Sequence, residues 1–168
     1  MKQTRLILVG GFLGAGKTTL LWETAVRLMN KGLRVGLITN DQAPELVDSE
    51  LLKLSDLRVA EVSGSCFCCN FNGFTDAIKE IRAEASADVI IAEPVGSCTD
   101  LSATIMQPLK QYWNTELKIS PLTVLADPNR LVSILNGGNG GLHPDAAYIY
   151  KKQLEESDII LLNKSDVL

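Results

Sequence analysis

Gly11-Phe12-Leu13-Gly14-Ala15-Gly16-Lys17-Thr18 decides how the rest of this chain reads. The stretch has the form G-x-x-x-x-G-K-[ST], a loop whose glycines let successive backbone N–H groups turn toward a phosphate. Its flanks suit it. Leu6-Ile7-Leu8-Val9 is a short apolar run that predicts a buried parallel strand. Leu21, Ala25, Leu28 and Met29 then recur at helical spacing, and Gly32 ends the run. The nucleotide-binding stretch is expected to comprise Gly11, Gly14, Ala15, Gly16, Lys17, Thr18 and Thr19. Lys17 would reach the β- and γ-phosphates, and the Thr18 hydroxyl would take one Mg²⁺ position. The helix opening near Lys17 adds the positive end of its dipole. A secretory signal competes, because Lys2 and Arg5 precede the apolar run. That run leads straight into Lys17-Thr18-Thr19 and a long amphipathic helix, with no small-residue cleavage pattern.

A chain of 168 residues predicts one domain with a proper core. No apolar run approaches the ~18 residues of a membrane span. Net charge is −4 and no basic cluster occurs, so neither nucleic acid nor a membrane is an expected partner. The cysteines are Cys66, Cys68, Cys69 and Cys98. Three within four positions suit a metal or redox site better than a disulfide framework, and the expected compartment is the cytoplasm.

Strands and helices alternate along the chain. Further strands are expected at 35–39, 57–62, 88–92, 121–126 and 159–162, and a short helix within 42–54. Helices are expected from Phe74 to Ala85, from an Asp100 cap through Tyr112, around Arg130 to Leu135, and from Asp145 to Ser157. Leu101, Ile105, Leu109 and Tyr112 would share one face, and Pro108 should kink or shorten that helix. Residues 136–141 read as a flexible linker, since they follow a helix and lack Lys-Thr. The fold class is α/β, a mostly parallel sheet with helices on both faces.

Three more stretches carry chemistry. Asn163-Lys164-Ser165-Asp166 follows the last strand directly. Guanine presents two adjacent donors, which one carboxylate such as Asp166 accepts together. Glu93-Pro94-Val95-Gly96 stands at a strand's carboxyl end, where open α/β sheets bind ligands. Glu93 could hold Mg²⁺ or orient the attacking water, and Gly96 could bring a backbone N–H to the γ-phosphate. Asp41 is a second Mg²⁺ or switch candidate, and Asp127 ends a strand at the same sheet edge. In Cys66-Phe67-Cys68-Cys69 the thiolates select zinc or another soft metal. A tetrahedral ion would want a further ligand, with Glu61, Cys98, His143, water or a second subunit as candidates.

Together the 10–19 stretch, Cys-x-Cys-Cys, Glu93-x-x-Gly96 and Asn163-Lys-x-Asp166 resemble the CobW/HypB/UreG group of metal-insertion GTPases, the CobW-like branch above all. The resemblance implies a P-loop GTPase domain with slow hydrolysis of GTP on Mg²⁺. It also implies a thiophilic metal on Cys66, Cys68 and Cys69, a client metalloprotein or cofactor enzyme, and a homodimer answering to the nucleotide. Glu61 stands at the spacing of a glutamate often found in that branch. Ser65 replaces a usual glycine, and Cys98-Thr99-Asp100 replaces the usual continuation after Glu-x-x-Gly. Against that pattern the chain reads as a domain cut just after its guanine motif, without the last strand and helix. A nucleotide-dependent regulator with structural zinc, or a P-loop kinase of small molecules, are the alternatives.

Overall fold

The computed structural model describes residues 2–40 and 57–167. In chain order its first half holds β1 (Thr4–Gly11), α1 (Lys17–Met29), β2 (Val35–Thr39), β3 (Leu57–Glu61), α2 (Phe71–Ala85) and β4 (Val89–Glu93). A π-helical stretch, Ser102–Met106, runs into α3 (Gln107–Tyr112). Then come β5 (Leu117–Ile119), β6 (Thr123–Ala126), α4 (Pro128–Leu135), α5 (Pro144–Glu155), β7 (Ile159–Leu162) and a 3-10 turn, Ser165–Val167. The expected α/β architecture is present: every strand pair is parallel, in the order β3-β2-β4-β1-β6-β7, with β5 beside β1.

Alternation along β1 divides the core. Leu6 and Leu8 face α2, where Phe74, Ile78 and Ile81 close over them and Ile90. Val9 faces the other way, with Leu21 and Ala25 of α1, Leu37 and Ile91. The chain leaves β1 toward β2 on one side and leaves β4 toward β6 on the other. Adjacent strands with diverging exits open a crevice at their carboxyl ends, where Gly11 and Glu93 lie. Among the described residues no helix is long and apolar enough to cross a membrane.

Several expectations are corrected. Leu117–Ile119 forms a strand that periodicity does not reveal, since three residues are too few to show alternation. It takes the edge of β1 at Thr4–Leu6, and β6 takes the same edge at Val9–Gly11. Asp100 does not cap the following helix: its φ is +59° and its side chain makes no capping bond. That place is filled from α5's end, where the Glu156 carboxylate accepts from Ser102 N at 3.3 Å. Tyr112 is 71% exposed although Leu101, Ile105 and Leu109 are buried. The π-helical stretch accounts for this, because one widened turn before Pro108 rotates the residues after it off the original face. The Asp41 candidate and the 42–54 helix lie outside the described residues.

The sheet's amino-terminal edge is held by Asp88. Its carboxylate accepts from Lys2 Nζ at 2.8 Å, and from Arg34 N, Nε and Nη2 at 3.0, 3.2 and 3.2 Å. The Arg34 and Lys2 bonds hold its carboxyl well below the usual range. A depressed folded value stabilises above the unfolded carboxyl value of about 3.9, and the contribution fades as pH falls further. Asp88→Asn is therefore expected to lower unfolding free energy by about 1–2 kcal/mol at pH 7, the solvent-facing partners keeping it modest. Urea titrations at pH 7 and pH 3 check this, with the gap between variant and wild type narrowing at the lower pH.

Candidate functional site

The 11–18 loop folds as a tight turn between β1 and α1, with Ala15 N donating to Phe12 O at 3.1 Å. Gly16 occupies the N-cap of α1 with φ 92°, and α1 has no side-chain cap and no acidic residue in its first turn. A helix opening this way leaves its first N–H groups to a ligand. Only glycine suits position 16, since a Cβ there would meet Asn163 Nδ2 as well as a left-handed backbone.

Lys17 is 6% exposed, with its ammonium 3.7 Å from Glu93 Oε1 and 3.4 Å from Phe12 O. Thr18 Oγ1 lies 3.2 and 3.1 Å from the two Glu93 oxygens. Burial lowers Lys17 from the ordinary lysine value and raises Glu93 above the ordinary carboxylate value, with their mutual attraction opposing both. The Thr18 hydroxyl can donate to Glu93 and still turn lone pairs toward a cation. Gly96 packs against this group: a Cβ there would come 3.2 Å from Lys17 Nζ and 3.1 Å from Leu13 N. The arrangement thus combines a buried ammonium, a helix N-terminus, a hydroxyl and a carboxylate, a donor set that fits a polyphosphate with a hard divalent cation.

Asn163-Lys164-Ser165-Asp166 leaves β7 beside the loop. Asn163 Nδ2 donates to Ala15 O at 2.8 Å. Lys164 turns the chain with φ 59° and pairs with Asp127 at 3.7 Å. Asp127 also caps α4 through Arg130 N at 3.2 Å. Asp166 is exposed on the 3-10 turn and has no hydrogen-bond partner among the described residues.

The cysteine loop joins β3 to α2. Phe67 is fully buried and stacks on Phe74 with centroids 4.4 Å apart. Asn40 Nδ2 donates to Val62 O and Ser65 O, both at 2.7 Å, which ties the loop to the end of β2. Cys69 N and Asn70 N both donate to Cys66 O, at 3.1 and 2.9 Å. This turn gathers the sulfurs of Cys66, Cys68 and Cys69 within 4.8 Å of one another. Cys66 and Cys68 Sγ are 2.9 Å apart. Burial opposes ionisation of Cys66, but bonds from the Cys68 and Cys69 thiols and the Cys69 amide outweigh it and bring it down to about 7. Burial and the neighbouring Cys66 push Cys68 up to about 11. Glu61, exposed at the end of β3, and His143, which accepts from Asp145 N at the start of α5, stand outside this group.

Gln153 is a residue that motif reading misses. Its buried amide donates to Gly96 O at 3.0 Å and to Cys98 O at 2.9 Å, pinning the segment after β4. No local pattern marks it, because an α5 glutamine acquires this role only when the helix docks.

Residues 5–168 match the CobW/HypB/UreG nucleotide-binding domain. The chain belongs to the CobW/HypB/UreG family. Zinc chaperone YeiR of Escherichia coli (strain K12) is 25% identical over 167 residues, covering 97% of this chain and 47% of that protein. Zinc chaperone CobW of Sinorhizobium is 28% identical over 187 residues, covering 95% and 50%. This CobW/HypB/UreG domain thus spans about half the length of the curated relatives it matches. The Zn(II)-bound YjiA GTPase from E. coli superposes with a TM-score of 0.65 at 20% identity, over 99% of this chain and 51% of that one. HypB from Helicobacter pylori, solved with nickel, gives 0.61 at 17% identity, over 99% and 66%. Those likenesses establish the P-loop fold of the CobW/HypB/UreG domain.

Proposed function

We propose that this chain is the GTPase domain of a metallochaperone, which binds GTP with Mg²⁺ and couples nucleotide state to delivery of a thiophilic metal. In this reading the backbone of Gly11, Gly14, Ala15, Gly16 and Thr19 and the ammonium of Lys17 hold the phosphates. Thr18 and Glu93 hold the cation, and Asp166 accepts the two guanine donors. Asn163 positions the loop through Ala15 O rather than touching the base. Bound Mg²⁺ would neutralise charge on the β- and γ-oxygens during a slow hydrolysis. Lys17 exchanges its Glu93 contact for phosphate, which leaves Glu93 free to orient water beside Thr18. Cys66, Cys68 and Cys69 hold the cargo. The relatives named zinc chaperones support zinc as that cargo. A client metalloprotein would receive it, and a nucleotide-bound homodimer fits the same reading.

One observation carries the proposal: three convergent thiols, on a loop tied by Asn40 to the end of β2, share one parallel sheet with the phosphate-type loop that follows β1. Two sites on shared elements can answer to each other, and such coupling is reciprocal. The test is competition for Zn²⁺ against a chromophoric chelator on the full-length protein, with GDP and then with a non-hydrolysable GTP analogue. Zinc affinity is expected to differ between the two states by about 5- to 150-fold, the usual span of such coupling. Cys66→Ser should weaken zinc in both. Equal affinity in both nucleotide states leaves the regulator with structural zinc, and equal affinity in wild type and variant removes the metal site.

A further inference from the structure

After β4 the chain turns over Val95–Cys98, and Cys98 N closes the turn on Val95 O at 2.9 Å. Gly96, inside the turn, lies hard against the phosphate loop: a Cβ on it would stand 3.1 Å from Leu13 N and 3.2 Å from Lys17 Nζ. The Gly96 N–H has no hydrogen-bond partner among the described residues. The turn is held from α5, where Gln153 Nε2 donates to Gly96 O at 3.0 Å and to Cys98 O at 2.9 Å. Gln153 is 2% exposed. Three residues earlier on the same buried face of α5, the Tyr150 ring meets Phe12 of the phosphate loop edge-on, with centroids 6.0 Å apart. One helix face therefore holds both the phosphate loop and the turn that lies against it.

We propose that Gln153 is a positioning residue that makes the site prefer a nucleoside triphosphate to the diphosphate, by holding the Gly96 turn against the phosphate loop where a γ-phosphate would meet it. This role rests on the GTPase reading and extends it. Residues 11–18 and the α1 N-terminus serve the phosphates that GDP and GTP share. The Gly96 N–H adds a donor that only the third phosphate uses. A turn already fixed in place loses little freedom when that bond forms, so the bond contributes more to affinity. An amide suits the task, because its two N–H donors take two carbonyls without placing a second charge beside the buried Lys17 ammonium. The competing role is that of a glutamine that only docks α5 on the core. Docking alone does not call for an amide: Gln153 Oε1 is buried with no hydrogen-bond partner among the described residues, a cost that an apolar side chain would not carry.

The experiment measures binding of GDP and of a non-hydrolysable GTP analogue, each with Mg²⁺, to the full-length protein in wild type and in Gln153→Met. Methionine keeps the length of the side chain and removes both donors. Affinity for the GTP analogue should fall about tenfold, the size of one net hydrogen bond, while that for GDP stays within about twofold. Equal loss of both nucleotides by a variant with the wild-type circular dichroism spectrum, or loss of neither, would overturn the positioning role and leave the GTPase reading in place. A wild-type measurement stands beside this one. By linkage a γ-phosphate on Gly96 must tighten the Gln153 contact by the same factor. Exchange of the Gln153 side-chain amide protons with solvent, read by NMR, should therefore be about tenfold slower with the GTP analogue than with GDP. Equal exchange in the two states would overturn the role even where the variant fails to fold. Wild type that binds neither nucleotide would overturn the GTPase reading itself.

Discussion

Lys17→Ala is expected to weaken GTP binding by about 100- to 1000-fold while leaving the fold in place. Truncating one partner of a buried, hydrogen-bonded charge pair costs about 2–5 kcal/mol, and each 1.4 kcal/mol is a factor of ten. The Lys17 ammonium is buried between Glu93 Oε1, Phe12 O and Gly96, at the mouth of the uncapped α1 N-terminus. Removing it takes away the only buried cation of the phosphate loop, yet little apolar packing. In the variant Glu93 keeps its Thr18 contacts at 3.2 and 3.1 Å but loses its countercharge. Its carboxyl, already raised by burial, then rises further. Titration with a fluorescent GTP analogue measures the loss, and far-UV circular dichroism checks the fold. Unchanged affinity would count decisively against a phosphate-binding role for residues 11–18.

Asp166→Asn is expected to reverse base preference: GTP weakened on the order of 100-fold, xanthosine triphosphate strengthened. A carboxylate accepts two donors from guanine, and hydrogen bonds to charged groups contribute about 1.5–3 kcal/mol each. The asparagine amide keeps one acceptor and adds a donor, which opposes the guanine amino group and suits the xanthine 2-oxo group. Asp166 is exposed with no competing partner among the described residues, so the substitution should disturb nothing else. The turn that presents it is held independently, by Asn163 on Ala15 O and Lys164 on Asp127. Competition binding of both nucleotides to the full-length protein is the measurement. Retained GTP preference would remove Asp166 as the base reader.

Much of this protein is decided locally, and that part is legible in its residues. The apolar run at Leu6–Val9, the glycine loop and the helix after it form β1, the turn and α1, because strand burial, left-handed glycine and helical periodicity act over a few neighbours. Val35–Thr39 and Ile159–Leu162 form strands at the expected positions for the same reason. Cys-x-Cys-Cys and Asn-Lys-x-Asp are likewise short patterns whose chemistry travels with their spacing.

What the residues could not announce depends on contacts between distant segments. The capping role read at Asp100 belongs to Glu156, because a helix N-terminus accepts whichever carboxylate packing brings to it. Leu117–Ile119 is a strand only because β1 is long enough to need two neighbours along one edge. Asn163 holds the phosphate loop across 148 residues of chain, and Gln153 pins Gly96 and Cys98 from α5. Cys98 itself, one of several candidates for a further ligand in the sequence, lies buried in the core cluster against which Cys66 and Cys68 pack, a placement that the docking of separate segments decides. Local propensity names the parts of a site, whereas the convergence of its donors is a long-range property that packing alone decides.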